Sequence, residues 1–318
     1  MSSDAPGGSA QSAYDDAVLP FSTVKSRALG RLVRLGPLVD EILARHAYPN
    51  AVSELLGEAL ALVAMLGTTL KFEGELILQT NTDGPVGLIV VNFEAPGRLR
   101  GHASFNRDRV GSIIEAGQAD HGRLLGSGYL ALTIDPGKGK ERYQGVVALE
   151  GGGLADAALS YFRQSEQLPT YVRLAVARHQ TSADGHPGWR WRAGGLLLQH
   201  VAPVGGSAEL DDGGRLMGED DDHWRRVRFL AETVEDHEML DPLLPPKRLL
   251  YRLFHEEGVR AGEARDMEVF CRCSQDRVDN LFQSFKGDDI SDLRDKNGDV
   301  VVTCEFCNTA YYFDPGAQ

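Results

Sequence analysis

Residues 49–71, PNAVSELLGEALALVAMLGTTLK, combine two patterns that together predict a buried helix. Apolar residues in the first half recur every three or four positions, and the second half is apolar on all sides, as in a core helix. Two apolar segments follow directly, Glu75–Thr80 and Val86–Phe93, separated by the turn sequence NTDGP. Asp-Gly between two such segments predicts a β-hairpin. A core helix therefore leads directly into antiparallel strands.

Further strands are predicted along the chain at Arg98–Phe105, Tyr129–Asp135, Arg142–Glu150 and Gly194–Val201. Among them, Leu154–Gln167 has the apolar spacing of an amphipathic helix. Because strands and helices are mixed without a regular βαβ alternation, we predict an α+β fold.

Composition and the N-terminal sequence indicate a soluble protein. Hydrophobic residues make up 42% of the chain, enough to bury a core. The first residues, MSSDAPGGSAQSAYDD, lack the basic and apolar regions of a signal peptide. The most apolar run, Ala59–Gly67, is too short to span a bilayer. We therefore expect a cytoplasmic protein that does not contact a membrane.

The charge of the chain is concentrated at its C-terminal end. Residues 209–318 carry 26 acidic and 14 basic side chains, whereas residues 1–208 carry 20 and 19. Binding of nucleic acid requires a basic surface to contact phosphates, and the C-terminal part has the opposite charge. We therefore expect no nucleic-acid partner.

Changes in composition divide the chain into four parts. Residues 1–17 are small and polar and predict a disordered tail, followed by an N-terminal α+β domain over residues 18–222. The Gly-rich, acidic stretch Gly205–His223 marks the end of that domain. Residues 223–265 are predicted to form a charged helical linker, and residues 266–318 a small C-terminal module that contains every cysteine.

The predicted linker contains two charged helices with narrow apolar faces. The first covers HWRRVRFLAETVEDHEMLDP (residues 223–242) and the second PPKRLLYRLFHEEG (residues 245–258). The second helix carries one apolar stripe, which we call the linker stripe: Leu249, Leu250, Leu253 and Phe254. Helices of this kind are marginal unless they dock against another surface.

The four cysteines form two close pairs, Cys271/Cys273 in VFCRCSQ and Cys304/Cys307 in VTCEFCN. Clustered pairs in a reducing compartment are more often metal ligands or redox-active thiols than permanent disulfides. A module of about 50 residues also needs an additional cross-link, because it buries little apolar surface. One Zn²⁺ with four thiolate ligands satisfies both points.

The same spacing allows a redox switch. Without the metal, the nearest partner of each thiol is its own neighbour, so oxidation would join Cys271 to Cys273 and Cys304 to Cys307. Arg272, between the first pair, would add favourable charge for the thiolates. Spacing alone leaves two interpretations open, an oxidant sensor that acts by unfolding and a structural zinc ribbon.

Enzymatic function is not favoured by the motifs. An oxidoreductase that uses Cys304 and Cys307 would need the βαβ context of thioredoxin-like sites, which is missing around CEFC. The segments around His46, His102 and His200 favour core or boundary roles, and no Cys–His or paired-carboxylate pattern indicates an active site. We therefore expect no enzyme.

The chain resembles the redox-regulated holdase chaperones of the 33-kDa heat-shock type. The resemblance runs from about Phe21 to Pro315 and rests on motifs in the same order: YPNAVSELLGEAL, LKFEGELILQ, DGPVGLIVV, RYQGVVALEG, YFRQSEQLPT, AGGLLLQ, LFHEEGVR and FCRCSQDRVDN…VTCEFCNTAYYFD. One departure is Arg272, which stands where a small residue is frequent.

The resemblance implies an ATP-independent chaperone in which all four cysteines bind Zn²⁺ in the reduced state. Oxidation would form the two neighbour disulfides, first at Cys304/Cys307, release the metal and unfold the module and the linker. The exposed surface would bind unfolding client proteins, often as a homodimer. We expect the linker stripe to be part of that surface. The remaining alternative is a constitutive zinc-stabilised adaptor without redox activation.

Overall fold

A computed structural model describes residues 14–70, 73–137, 139–181, 188–200, 222–282 and 300–313. The strands are β1 Ala17–Thr23, β2 Ala28–Leu35, β3 Glu75–Thr82, β4 Val86–Glu94, β5 Arg98–Phe105, β6 Ser127–Asp135, β7 Tyr143–Glu150, β8 Thr170–Thr181, β9 Gly188–His200, β10 Val259–Ala261, β11 Arg265–Asp266, β12 Glu268–Val269, β13 Val300–Thr303 and β14 Ala310–Phe313. The α-helices are α1 Pro37–Ala44, α2 Asn50–Gly67, α3 Arg107–Glu115, α4 His121–Leu125, α5 Leu154–Tyr161, α6 Asp222–Glu232, α7 Asp236–Leu240, α8 Pro246–Phe254 and α9 Gln275–Phe282.

Two six-stranded sheets enclose helix α2. Sheet A has the order β10-β1-β2-β9-β8, with β11 also paired to β1, and sheet B has the order β12-β5-β4-β3-β6-β7. Helix α2 contacts strands of both sheets. By length and mean hydropathy (1.4) it is the one helix in the described residues that could cross a membrane, but 83% of it is buried inside the protein. The predicted core helix, the β3–β4 hairpin and the α+β class are confirmed.

The N-terminal boundary differs from the predicted tail, residues 1–17. Residues 1–13 lie outside the described part, but Asp15 and Asp16 are fixed to the folded domain. The carboxylate of Asp16 accepts hydrogen bonds from the backbone N–H groups of Gly36 (2.8 Å) and Leu38 (3.1 Å), and Arg192 donates to Asp15 (2.9 Å). Burial raises the pKa of Asp16 to about 6 despite these hydrogen bonds. The folded domain thus includes residues that composition alone assigned to the tail.

The linker helices lie against sheet A. Side chains from α6, α7 and α8 form one buried cluster with residues of β1, β2, β8 and β9. The buried guanidinium of Arg34 donates to three backbone oxygens in the linker, those of Met239 (2.9 Å), Leu244 (2.6 Å) and Glu238 (3.1 Å). The docking surface that these charged helices require is therefore a sheet of the N-terminal domain.

The prediction of a single helix over residues 223–242 is wrong, because the chain forms two helices there. Helix α6 ends at Glu232 and α7 begins at Asp236. A capping box starts α7, in which the backbone N–H of Glu235 donates to the carboxylate of Glu238 (3.0 Å). Val234, between the helices, is 1% exposed. The break thus places an apolar residue in the core.

Most of the predicted acidic stretch, residues 205–221, lies outside the described residues.

His121 forms an ion pair that predicts a pH-dependent contribution to stability. Its Nδ1 lies 3.1 Å from Glu58 and its Nε2 4.0 Å from Glu54, both on α2. Hydrogen bonding to Glu54 and Glu58 raises the pKa of His121 to about 10. Since an unfolded histidine titrates near about 6.5, this stabilisation is fully present below that pH and is lost as the pH rises towards 10.

We expect His121→Gln to lower the free energy of unfolding by about 1 kcal/mol at pH 6, with solvent screening taken into account. At about pH 10 the loss should be close to zero, because the wild-type imidazole is then becoming neutral. Urea unfolding of both proteins at the two pH values checks this. His179→Gln, at an exposed position, is the control. An equal loss at both pH values would mean that His121 contributes by packing alone.

Candidate metal centre

The four cysteines meet where two short loops face each other. Cys271 and Cys273 follow strand β12, and Cys304 and Cys307 occupy the turn between β13 and β14. The Sγ–Sγ distances are 3.1 Å for Cys271–Cys273, 3.6 Å for Cys271–Cys304 and 3.2 Å for Cys273–Cys307. All four sulfurs lie within 4.8 Å of one another, and all four thiols are free.

This arrangement fits a tetrahedral metal ion. Four sulfurs at about 2.3 Å from a zinc ion would be about 3.8 Å apart, close to the spacing in the cluster. The ligand set is entirely sulfur, which selects thiophilic metals over Mg²⁺ or Ca²⁺. The structure therefore brings together the four residues that the sequence predicted as ligands, and they could hold one metal ion.

Backbone hydrogen bonds fix the conformation of the Cys304/Cys307 loop. The backbone N–H of Cys304 donates to the carbonyl of Thr309 (2.9 Å), and that of Asn308 donates to the carbonyl of Cys304 (2.8 Å). Asn308 has a φ of 58°, a left-handed conformation that asparagine tolerates well. The β13–β14 turn thus presents both sulfurs on one side. This turn is not the strand-to-helix context of a thioredoxin-like site.

The described part of the module has a small apolar core. It consists of four buried side chains, Val278, Phe282, Val300 and Phe313, with the two phenylalanine rings stacked at 4.9 Å. Such a cluster is too small to stabilise a domain of this size without an additional cross-link. The packing therefore supports a structural contribution from a bound metal.

Hydrogen bonds to the sulfurs create unequal thiols. Burial raises the pKa of Cys273 to about 12, although the hydroxyl of Tyr311 donates to its Sγ (3.0 Å). Burial also raises the pKa of Cys304. At Cys307 burial acts in the same direction, but hydrogen bonds with Thr309 and the neighbouring thiols outweigh it and lower the pKa to about 6. Without a metal, the thiols of Cys273 and Cys304 therefore keep their protons at neutral pH, and metal binding releases them.

The second cysteine loop docks on sheet B. Residues Arg100 and His102 of β5 point away from helix α2, because their neighbours Leu99 and Ala103 belong to the main core. The guanidinium of Arg100 lies 4.1 Å from the ring centroid of Phe306, and His102 packs edge-on against the same ring. The Asn308 side chain also donates to the carbonyl of Arg45 (2.9 Å). These contacts were not predicted from the sequence, in which Phe306 between the cysteines was the only visible signal.

The first cysteine loop docks on the same sheet through Arg272. Its guanidinium contacts the carboxylates of Glu75 and Glu94. The distance from Nε of Arg272 to the Glu94 carboxylate is 3.1 Å. From the sequence we expected the charge of Arg272 to stabilise the neighbouring thiolates. In the structure that charge is instead compensated by the carboxylates of Glu75 and Glu94.

The linker stripe lies away from the cysteines, against sheet A. Leu249, Leu250, Leu253 and Phe254 are between 0% and 3% exposed. Phe254 stacks on Phe21 of β1 with ring centroids 5.5 Å apart. The stripe is thus ordinary core packing in this conformation and is not available to another protein.

One chain segment connects the stripe to the metal centre. After α8, strands β10 and β11 pair with β1 of sheet A, and β12 then pairs with β5 of sheet B. Phe270 follows β12, and Cys271 comes next. The segment 259–269 therefore runs along edge strands of both sheets.

Comparisons with known proteins agree over nearly the whole chain. The model of the Hsp33 protein family matches residues 16–314. A 33 kDa chaperonin of Caulobacter vibrioides is 42% identical over 95% of each chain, and one of Pseudomonas savastanoi pv. phaseolicola is 40% identical over 91% of this chain and 88% of its own length. The crystal structure of a 33 kDa chaperonin from Thermotoga maritima has a TM-score of 0.70, covering 94% of this chain and 95% of its own, at 20% identity. This chain belongs to the Hsp33 family.

Proposed function

We propose that this protein is a redox-regulated, ATP-independent chaperone that binds unfolding client proteins. In the reduced state Cys271, Cys273, Cys304 and Cys307 hold one Zn²⁺, which, when bound, cross-links the two cysteine loops. Oxidation by two molecules of peroxide removes two electrons from each cysteine pair. It forms the disulfides Cys271–Cys273 and Cys304–Cys307, consumes four protons and yields four waters. No thiolate then remains to hold the metal.

The observation that carries this proposal is the continuous segment 259–269 between the metal centre and the linker. The backbone N–H of Phe270, directly before Cys271, donates to the carbonyl of Leu99 (3.1 Å), and that of Met267 donates to Asp16 (2.7 Å). Unfolding of the module would remove the anchor of β12, and the short strands β10 and β11 would lose their C-terminal support. The linker helices that precede them would then be held only by their own contacts with sheet A, which are the buried cluster and the hydrogen bonds of Arg34.

Undocking of the linker would expose two complementary apolar surfaces. One is the linker stripe, and the other is the face of sheet A that it covers, which includes Leu19, Phe21, Leu196 and Leu198. Contiguous apolar surface of this kind binds unfolded chains, and the many charges of the linker would keep the complex soluble. The names of the relatives, 33 kDa chaperonins, support the same function.

The domain boundaries, the cellular location and the oligomeric state of the protein are part of the same proposal. Residues 18–222 form the N-terminal domain, residues 223–265 the linker that unfolds, and residues 266–318 the zinc-binding switch, with residues 14–17 added to the first. The protein acts in the cytoplasm, without a nucleic-acid or membrane partner and without enzymatic turnover. The oxidised form assembles as a homodimer.

The test is suppression of aggregation of a heat-unfolding reporter protein. We expect the zinc-loaded, reduced protein to have little effect, and the same sample to suppress aggregation strongly after peroxide treatment under mildly unfolding conditions. Rereduction in the presence of zinc is the matched control and should reverse the effect. Equal activity in both states would contradict redox activation and favour the constitutive zinc-stabilised adaptor.

A further inference from the structure

Arg272 makes a two-carboxylate contact that ties the metal centre to the N-terminal domain. Glu75 begins β3, Glu94 ends β4, and the two residues are direct cross-strand partners. The guanidinium of Arg272 contacts both carboxylates, whose side chains are each 20% exposed. This partial burial strengthens a charge-assisted contact relative to one in open solvent.

The surroundings hold the guanidinium in this position. Arg98 also contacts Glu94, so this carboxylate serves two cations. The Phe270 ring lies beneath the guanidinium groups of three arginines, with its centroid 5.6 Å from that of Arg272, 5.2 Å from Arg98 and 5.3 Å from Arg100. Arg272 thus attaches the Cys271–Cys273 loop to sheet B. The two flanking sulfurs lie next to the sulfurs of the other loop.

We propose that Arg272 is a positioning residue that holds the first cysteine loop on sheet B and thereby slows opening of the metal centre by oxidants. This inference rests on the proposed function and names a regulatory residue of the same site. For the module to unfold, residues 270–273 must leave the sheet, and they can do so only after the contacts to Glu75 and Glu94 break. Residue 272 therefore sets how readily the switch opens.

The experiment compares zinc release from zinc-loaded, full-length wild type and Arg272→Gln after addition of peroxide, measured with a chromophoric chelator. We expect the variant to release zinc roughly fivefold faster, the effect of losing one partly buried ion pair. The difference should shrink in high salt, because screening already weakens the wild-type contact. Arg163→Gln removes the same charge from an exposed residue outside the module and should leave the rate unchanged.

A double-mutant cycle separates the contact from a general loss of stability. Glu75→Gln should also accelerate release, and the double variant should be no faster than Arg272→Gln alone, because both changes remove one interaction. Arg272→Lys, which keeps the charge, should restore part of the delay. Additive effects would show that the two residues act separately and would overturn the proposal.

The direction of the effect decides between two roles. Slower release from Arg272→Gln would mean that its charge activates the thiolates, and an unchanged rate would mean that the contact does not limit opening; either result overturns the proposal. A second readout does not depend on oxidation. In the reduced protein, the amides of Glu268 and Phe270, which donate to Gly97 and Leu99, should exchange with solvent roughly fivefold faster in the variant.

The two proposals fail in different ways. If wild type keeps its zinc or gains no activity on oxidation, the proposed function fails, whereas the exchange measurement still tests the contact. If wild type switches but the Arg272→Gln and wild-type rates agree, only the role of Arg272 is refuted.

Discussion

Replacement of Cys304 by serine is expected to abolish tight zinc binding and to unfold the C-terminal module without any oxidant. Structural zinc contributes an apparent 10–16 kcal/mol, roughly, to the folding of small metal-dependent domains. In its place, the described part of the module offers a separate apolar cluster of four buried side chains. Serine is a poor zinc ligand, because its hydroxyl stays protonated at neutral pH. Zinc content per chain and amide exchange in β13 and β14 measure the two effects.

Thr303→Ser is the control for this variant, because it alters an exposed neighbour of Cys304 and leaves every sulfur in place. It should bind one zinc per chain and keep wild-type exchange. The N-terminal domain should remain folded in Cys304→Ser, since its main core contains no residue of the cysteine loops. Full zinc content with an ordered module would contradict the assignment of Cys304 as a ligand.

The same variant also tests how the switch is coupled to the linker. If loss of the module is enough to undock the linker, Cys304→Ser suppresses aggregation in the absence of oxidant. If the module unfolds while the protein stays inactive, the metal is merely structural, and activation needs the disulfides themselves.

Local patterns were sufficient for the elements whose structure depends on their own sequence. Helix α2 and the β3–β4 hairpin were predicted because apolar spacing and an Asp-Gly turn act over a few residues. The predicted strand Arg98–Phe105 has the bounds of β5. The four ligands were also predictable, because cysteine pairs carry the metal chemistry in their spacing.

Contacts between distant parts of the chain could not be predicted in this way. Asp15 lies in a Gly/Ser-rich stretch, and its partner Arg192 is 177 residues away. Arg272 is separated from Glu75 by 197 residues. The sequence therefore shows a positive charge beside two thiols, but it does not indicate the carboxylates that pair with this charge. The chain breaks between α6 and α7, where Val234 packs in the cluster between the linker and sheet A. The position of that sheet is not visible in the local sequence. In each case tertiary packing decided the outcome.

Replacement of Phe254 by alanine is expected to undock the linker while the metal centre stays intact. Phe254 is fully buried and stacks on Phe21, and truncation of a buried phenylalanine costs about 3–5 kcal/mol. Helix α8 has 9 residues, too few to persist without its docking surface. The linker should therefore open locally in the reduced, zinc-bound protein.

Limited trypsin digestion of reduced Phe254→Ala measures this opening, because α8 carries cleavage sites at Arg248 and Arg252. We expect cleavage there to be at least tenfold faster than in wild type, with one zinc per chain retained, and we expect aggregation to be suppressed without oxidant. Tyr251→Ala is the matched control, because Tyr251 lies on the same helix but is 64% exposed, so its loss leaves the docked face unchanged. If Phe254→Ala is cleaved no faster than Tyr251→Ala, the linker is not held by its apolar stripe. If cleavage is fast but activity still requires oxidant, the exposed stripe is not the client-binding surface, and that surface must be sought on the module or on sheet B.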